Sequence, residues 1–135
     1  MAAYVLKTEP SSYSFQDLVR DQRTTWDGIS NPVALKHLRA VAKGDLLLIY
    51  HTGNEKQVVG TARAESAAYP DPKLGDPKRV VIDIAAGKAL AKPVPLAAFR
   101  ADAVLKGTDL VRLPRLSVVP LNAAQLARVE KLGGK

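Results

Sequence analysis

Apolar positions along the chain fall into short groups whose spacing changes several times. Tyr4-Val5-Leu6-Lys7 is a brief extended run. Glu9-Pro10 stops it, because proline cannot continue a ladder and restrains the residue before it. Ser14-Phe15-Gln16-Asp17 has the form of a helix start, with Ser14 placed to cap the amides three residues on and Asp17 in the positive first turn. Phe15, Leu18 and Val19 share a face and predict a short helix to about Arg20. Trp26-Asp27-Gly28 then reads as a loop between two helices. Asn31-Pro32 opens the second of these as a cap and a first helical residue. Leu35, Leu38 and Val41 keep helical spacing there, and Gly44 ends the helix.

Further along, the period shortens. Asp45 to Tyr50 is too short and too evenly apolar for a surface helix, so it reads as a buried strand. His51 to Asn54 is a turn, and Gln57 to Ala62 is the returning strand. Gly60 within it marks a bulge or a close backbone approach. Tyr69 to Pro77 carries three prolines and a glycine and reads as a loop without regular structure. Arg79 to Ile84 is another strand, and Val94-Pro95-Leu96 leads into a short helix with Leu96 and Phe99. Ala101 to Leu113 fits no single element, as Gly107 opposes one long helix. Leu116 to Val119 is a last strand. Asn122, with Gln125 in the box position, caps a final helix striped by Leu126, Val129 and Leu132. Strands joined by short turns, with helices between them, predict an α+β fold. The expected architecture is a curved, mainly antiparallel sheet or small barrel flanked by helices, with residues 1–135 forming one domain.

Composition narrows the chemistry. Cysteine is absent, which removes disulfides, thiol catalysis and Cys-ligated zinc. His37 and His51 are the only imidazoles, so no metal site is expected. There is no signal pattern at the amino terminus and no apolar run of membrane-spanning length, so a soluble, cytoplasmic protein is expected; a monomer is the separate expectation for its assembly. The formal charge is +7. Residues 1–77 balance, with nine Lys/Arg against nine Asp/Glu, whereas residues 78–135 carry eleven against four. A one-sided basic excess favours a polyanionic partner such as nucleic acid. No glycine-rich phosphate loop and no Gly-x-Ser-x-Gly elbow is present. Asp27 and Glu9 are the one carboxylate pair to consider, and acid–base work would need a raised pKa. The expectation is a protein without cofactor that binds rather than catalyses.

The remaining polar and aromatic residues suit a planar polar ligand. Tyr4, Trp26, Tyr50 and Tyr69 are candidate rings. Lys7, Thr8, Asp27, Ser30, Asn31, His51 and Thr52 are candidate polar contacts. A nucleobase needs stacking on its faces and hydrogen bonds along its edge, and nearby cations hold the phosphate backbone. Each residue also has a plain structural role open to it: Asn31 as a cap, His51 as a turn closure, Tyr50 as core, Lys7 as a solvated charge.

Several stretches resemble a known family. Tyr4-Val5-Leu6-Lys7-Thr8-Glu9-Pro10 is similar to its opening pattern of an aromatic, two apolar residues and Lys-Ser-Glu-Pro. Trp26-Asp27-Gly28-Ile29-Ser30-Asn31 resembles its Trp-Asp-Gly-Val-Arg-Asn signature, and Ile49-Tyr50-His51-Thr52 resembles Phe-Tyr-His-Ser. Gly60, Tyr69-Pro70-Asp71, Ile82-Asp83 and Arg115 to Val118 with Pro120 follow in the same order. The chain is thus identified as similar to the EVE domain family of the PUA-like group. The resemblance implies a curved, barrel-like sheet and a pocket for a modified nucleobase, with modified cytosine in DNA favoured. An RNA or tRNA module that recognises a modified base, and a small-molecule or nucleoside pocket, are the alternatives. Carried over by motif, Lys7 and Thr8 line the pocket mouth, Trp26 stacks on the base, and Asp27, Ser30 and Asn31 belong to the reading loop. Tyr50, His51 and Thr52 close the other wall. The chain departs from the family pattern at Tyr4, where Trp is usual, and at Ser30 and Pro32, where Arg and Tyr are usual.

Overall fold

The computed structural model describes residues 2–134. It is built on a seven-stranded sheet: β1 (Ala3–Thr8), β2 (Arg23–Trp26), β3 (Leu46–His51), β4 (Gln57–Ala64), β5 (Tyr69–Pro70), β6 (Val80–Pro95) and β7 (Val118–Leu121). The main path runs β2-β6-β4-β3-β1-β7, and β5 pairs with β6 beside it. Every pairing is antiparallel except β1 with β3, which lie parallel in register from Ala3–Leu46 to Thr8–His51. That one parallel pair needs a crossover, and the two helices between β1 and β3 lie within it. The expected α+β class is therefore the observed one.

The helices are α1 (Phe15–Asp21), α2 (Pro32–Ala40), α3 (Leu96–Ala101), α4 (Asp109–Arg112) and α5 (Ala123–Leu132), with a 3-10 turn at Leu105–Gly107. Ser14 and Asp17 form a reciprocal capping box on α1, and Asn122 and Gln125 form one on α5. Asn31 caps α2 by accepting from the Val33 and Ala34 amides at 2.9 and 3.1 Å. Leu35, Leu38 and Val41 are buried as their spacing requires. On α5, Val129 is fully buried, while Leu126 and Leu132 pack half-buried on the core. Among the described residues, no helix is long and apolar enough to cross a membrane.

Several expectations need correction. Trp26 does not sit in a loop between helices; it is the last residue of β2, an extra strand paired with β6. The β-branched pair Thr24-Thr25 favours extended backbone there, and Gln22, at φ +66°, ends α1 abruptly enough to start it. Val19 is exposed, since only Phe15 and Leu18 of α1 reach the core. Helix α2 ends at Ala40, with Val41 already extended; Gly44, at φ +94°, belongs to the turn before β3. His51 completes β3 instead of opening a turn. Tyr69 and Pro70 pair with Val81 and Val80, so the proline-rich loop begins with a bridge. Strand β6 runs on to Pro95, far beyond Ile84. Its register shifts against β4 on either side of Gly60, the bulge position read from the sequence.

The core has its largest members on β1, β3 and β6 and on α1, α2 and α3. Leu6, Leu18, Leu38, Leu48, Ile82 and Phe99 are essentially inaccessible to solvent. Burying each such side chain contributes roughly 1.5–3 kcal/mol.

A candidate nucleobase site between the edge strand and β1

Strand β2 ends one side of the sheet, and β1 lies next to β7 at the other. A cavity of about 440 Å³ opens between these two sides, within the range of small-molecule sites. Its wall is supplied by Lys7, Thr8 and Glu9 at the end of β1, Tyr13 before α1, Thr24, Thr25 and Trp26 of β2, the Asp27-Gly28-Ile29 turn, and Ser117. A larger cleft of about 640 Å³ lies between β3, β6 and α5; it carries no aromatic ring, and its apolar wall is formed by Leu46, Leu48, Leu90 and Leu126.

The cavity has an aromatic corner. The rings of Tyr13 and Trp26 meet edge to face, 6.3 Å between centroids and 80° between planes. Trp26 is only 7% exposed, so most of its indole is packed into the core. Tyr13 is half-buried and presents more of its ring. Its hydroxyl donates to Asp21 Oδ2 at 2.9 Å, which anchors the ring from α1. Burial together with the neighbouring Asp21 carboxylate pushes its phenol above the ordinary value, so it stays neutral.

The polar groups are held by short-range bonds. Thr8 Oγ1 donates to the Tyr13 carbonyl at 2.6 Å, and the Ser12 and Tyr13 amides both donate to the Glu9 carbonyl at 2.9 Å. These bonds shape the tight loop that brings Tyr13 to the cavity. Lys7 Nζ donates to the Pro114 carbonyl at 2.8 Å and lies 5.6 Å from the centre of the Tyr50 ring. Partial burial lowers the Lys7 pKa from its ordinary value. The Glu9 carboxylate accepts from the Ser11 amide and hydroxyl and from Thr52 Oγ1. Those bonds, the Ser11 amide first, hold its pKa below the ordinary carboxylate value. Arg79 Nε donates to the Ile29 carbonyl at 2.8 Å and ties down the turn after Asp27.

Of the residues picked out from sequence, Lys7, Thr8, Trp26 and Asp27 are brought together here. The other seven lie off the wall. Tyr4 is buried in the core, and Tyr69 donates its hydroxyl to Asp83 Oδ1 at 2.6 Å. Ser30 is exposed beyond the turn. Asn31 spends its side-chain oxygen on capping α2. Tyr50 is buried beneath Lys7. His51 is 2% exposed. Its Nε2 accepts the Phe15 amide at 2.9 Å. A main-chain N–H only donates, so the proton sits on Nδ1, which faces Glu55 Oε1 at 2.9 Å. His51 thus caps the first amide of α1. Thr52 reaches the site only through Thr8 and Glu9. Sequence reasoning missed Tyr13, Thr24, Thr25 and Ser117 as wall residues, and it met Glu9 only as a carboxylate partner for Asp27. The one signal available for Tyr13 was an aromatic in the short spacer between Pro10 and the α1 cap.

A curved, mostly antiparallel sheet with short helices, and a polar cavity cornered by two rings between its two sides, defines a PUA-like α+β protein. The chain belongs to the EVE domain family, whose sequence model (EVE domain) matches residues 2–132. Human thymocyte nuclear protein 1 is 26% identical over 166 residues, spanning 98% of this chain and 74% of that protein. A Rhodopseudomonas palustris protein solved by NMR superposes with a TM-score of 0.94 at 38% identity, covering 99% of this chain and 94% of that one. The human THYN1 protein, solved in complex with DNA containing 5-methylcytosine, superposes with a TM-score of 0.91 at 26% identity, covering 100% and 99%.

Proposed function

We propose that this EVE domain is a non-enzymatic reader that takes a modified nucleobase, foremost a modified cytosine in DNA, into the cavity beside β2. The observation that carries the reading is the perpendicular Tyr13–Trp26 corner with Lys7 and Asp27 on the same wall. A flat base lies against one ring and meets the edge of the other, and stacking on an aromatic is worth roughly 1–3 kcal/mol per base. Asp27, exposed at the cavity, accepts from an amino group on the base. Lys7 supplies a cation for phosphate at the mouth. The complex of the human THYN1 protein with 5-methylcytosine DNA supports this choice of ligand. The basic excess in residues 78–135 agrees with a polyanionic partner. Glu9, held ionised, offers no proton near neutral pH, which favours binding over acid catalysis.

The test is a titration of variants against duplexes with and without 5-methylcytosine. Trp26→Ala removes a largely buried ring and is expected to cost about 3–5 kcal/mol of stability. Trp26→Phe is therefore the cleaner probe: it should fold and bind the modified duplex less tightly. Lys7→Gln should weaken modified and unmodified duplexes alike and flatten the salt dependence. Unchanged affinity in Trp26→Phe and in folded Trp26→Ala would sink the stacking role.

A further inference from the structure

Strand β2 is an edge strand, and its hydrogen-bonding parity can be read from its neighbours. Its register runs from Arg23–Ala85 to Trp26–Ile82. One step further out, the Ala86 amide donates to the Gln22 carbonyl at 2.8 Å. Directly opposed residues in an antiparallel ladder alternate between pairs that exchange bonds and pairs that do not. Gln22–Ala86, Thr24–Ile84 and Trp26–Ile82 are the exchanging pairs, so Thr25–Asp83 is not. Strand β6 agrees. The Asp83 amide donates to Ser66 Oγ at 3.0 Å and its carbonyl accepts from the Glu65 amide at 2.8 Å, both on the far side from β2. The amide and carbonyl of Thr25 therefore both point to the free edge of β2.

That edge faces the cavity, since Thr25 is part of its wall. Its side chain does not explain the placement. Thr25 Oγ1 donates to Asp83 Oδ1 at 3.0 Å, and side chains alternate along a strand, with Trp26 buried on one face and Thr25 exposed on the other. Thr25 thus reaches the cavity through its main chain.

We propose that the Thr25 main chain reads the hydrogen-bonding edge of the bound base, its N–H donating to a ring nitrogen and its C=O accepting from the adjacent exocyclic amine. This assignment rests on the base-reader function proposed above. A donor and an acceptor on one residue, held in place by ladder bonds at Thr24 and Trp26, form a rigid pattern that no rotamer change can alter. The complementary ligand carries a ring-nitrogen acceptor beside an amino donor, as a cytosine does along its pairing edge. A substituent at C5 leaves that edge untouched. Thr25 therefore sets which edge of the base enters and how it is oriented, while the choice of C5 substituent falls to the remaining walls. Losing either partner leaves a polar group unpaired beneath the bound base, which is the costly case.

The experiment uses the whole chain and three duplexes that differ at one base: 5-methylcytosine, cytosine, and 5-methylpyrimidin-2-one, which keeps the methyl and lacks the amine. Wild-type protein should prefer 5-methylcytosine over cytosine and lose about tenfold on the pyrimidinone. Thr25→Pro removes the outward N–H without taking a bond from the ladder, a substitution edge strands tolerate; it should also lose about tenfold. Thr25→Val keeps the N–H and deletes only the hydroxyl; a loss as large as that of the proline variant would place the contact on the side chain and overturn the assignment. Equal binding of 5-methylcytosine and the pyrimidinone by wild type would overturn the assignment, and so would a folded Thr25→Pro chain with wild-type affinity. If Thr25→Pro does not fold, a further duplex carrying 3-deaza-5-methylcytosine, which keeps the amine and lacks the ring-nitrogen acceptor, decides: about tenfold weaker binding supports the Thr25 N–H contact, and affinity equal to that for 5-methylcytosine overturns it. Equal binding of cytosine and 5-methylcytosine would instead overturn the base-reader reading, and the role of Thr25 with it.

Discussion

At Gly60 the backbone of β4 comes so close to α1 that a Cβ there would meet the Phe15 ring at 2.4 Å. The same helix start is held by His51, whose ring nitrogen takes up the Phe15 amide. Two small features of β3 and β4 thus position Phe15, and through it the loop that delivers Tyr13 to the cavity. Gly60→Ala is expected to destabilise the fold by about 1–3 kcal/mol through overpacking, measured by denaturant unfolding. An unchanged midpoint would mean that Phe15 does not pack there. The sequence announced Gly60 as a bulge or a close approach, and it is both. It also flagged His51 as chemically interesting, but its partner lies 36 residues away. Residue type gave the candidate, and only the fold gave the bond. Tyr13 shows the reverse: the motif reading passed over it, yet the fold places its ring against Trp26.

At the level of elements, caps were legible and short strands were not. Ser14, Asn31 and Asn122 all cap the helices that their spacing announced. A cap is a local device, decided by residues two and three positions on, so sequence suffices to find it. Strand β2 is four residues long and begins with an exposed arginine, and it exists because β6 is there to pair with it. Nothing local announces such a partner. The same reason hid the parallel pairing of β1 with β3 and the continuation of β6 to Pro95. Asn31 separates the two kinds of role. Its oxygen is spent on α2 and it lies off the cavity wall. Asn31→Ala should therefore cost about 1 kcal/mol of stability and leave affinity for a modified duplex unchanged. A loss of affinity without a loss of stability would return Asn31 to the site.

For the molecule as a whole, charge sets how stability responds to acid and, on the proposed function, how binding responds to salt. Glu9, Asp17, Asp21 and Asp102 all titrate below the ordinary carboxylate value. The largest causes are the Ser11 amide at Glu9, the Ser14 amide at Asp17, the Arg20 guanidinium at Asp21 and the Arg128 guanidinium at Asp102. A carboxylate depressed in the folded state adds stability that is fully present above its unfolded value and is lost as pH falls through the folded one. The urea midpoint should accordingly stay flat from neutral pH to about 5 and fall below about 4. A decline that begins well above pH 5 would contradict this. On the proposed function, the basic excess favours association with a polyanion. Binding to a nucleic acid polymer should weaken steeply as salt rises, whereas a pocket for a free nucleoside would show little salt dependence.

The central claim is that a modified base enters the cavity beside the Tyr13–Trp26 corner. Trp26 is the only tryptophan in the chain and lies on the cavity wall, so selectively excited tryptophan emission reports from that site. The decisive measurement is a fluorescence titration of the wild-type protein with duplexes that carry one 5-methylcytosine or one cytosine, at two salt concentrations. The account predicts a saturable change in Trp26 emission with the methylated duplex, at a midpoint that rises with salt, and a weaker or absent change with the unmethylated one. Binding of the methylated duplex that leaves Trp26 emission unchanged, or an identical response to both duplexes, would contradict it.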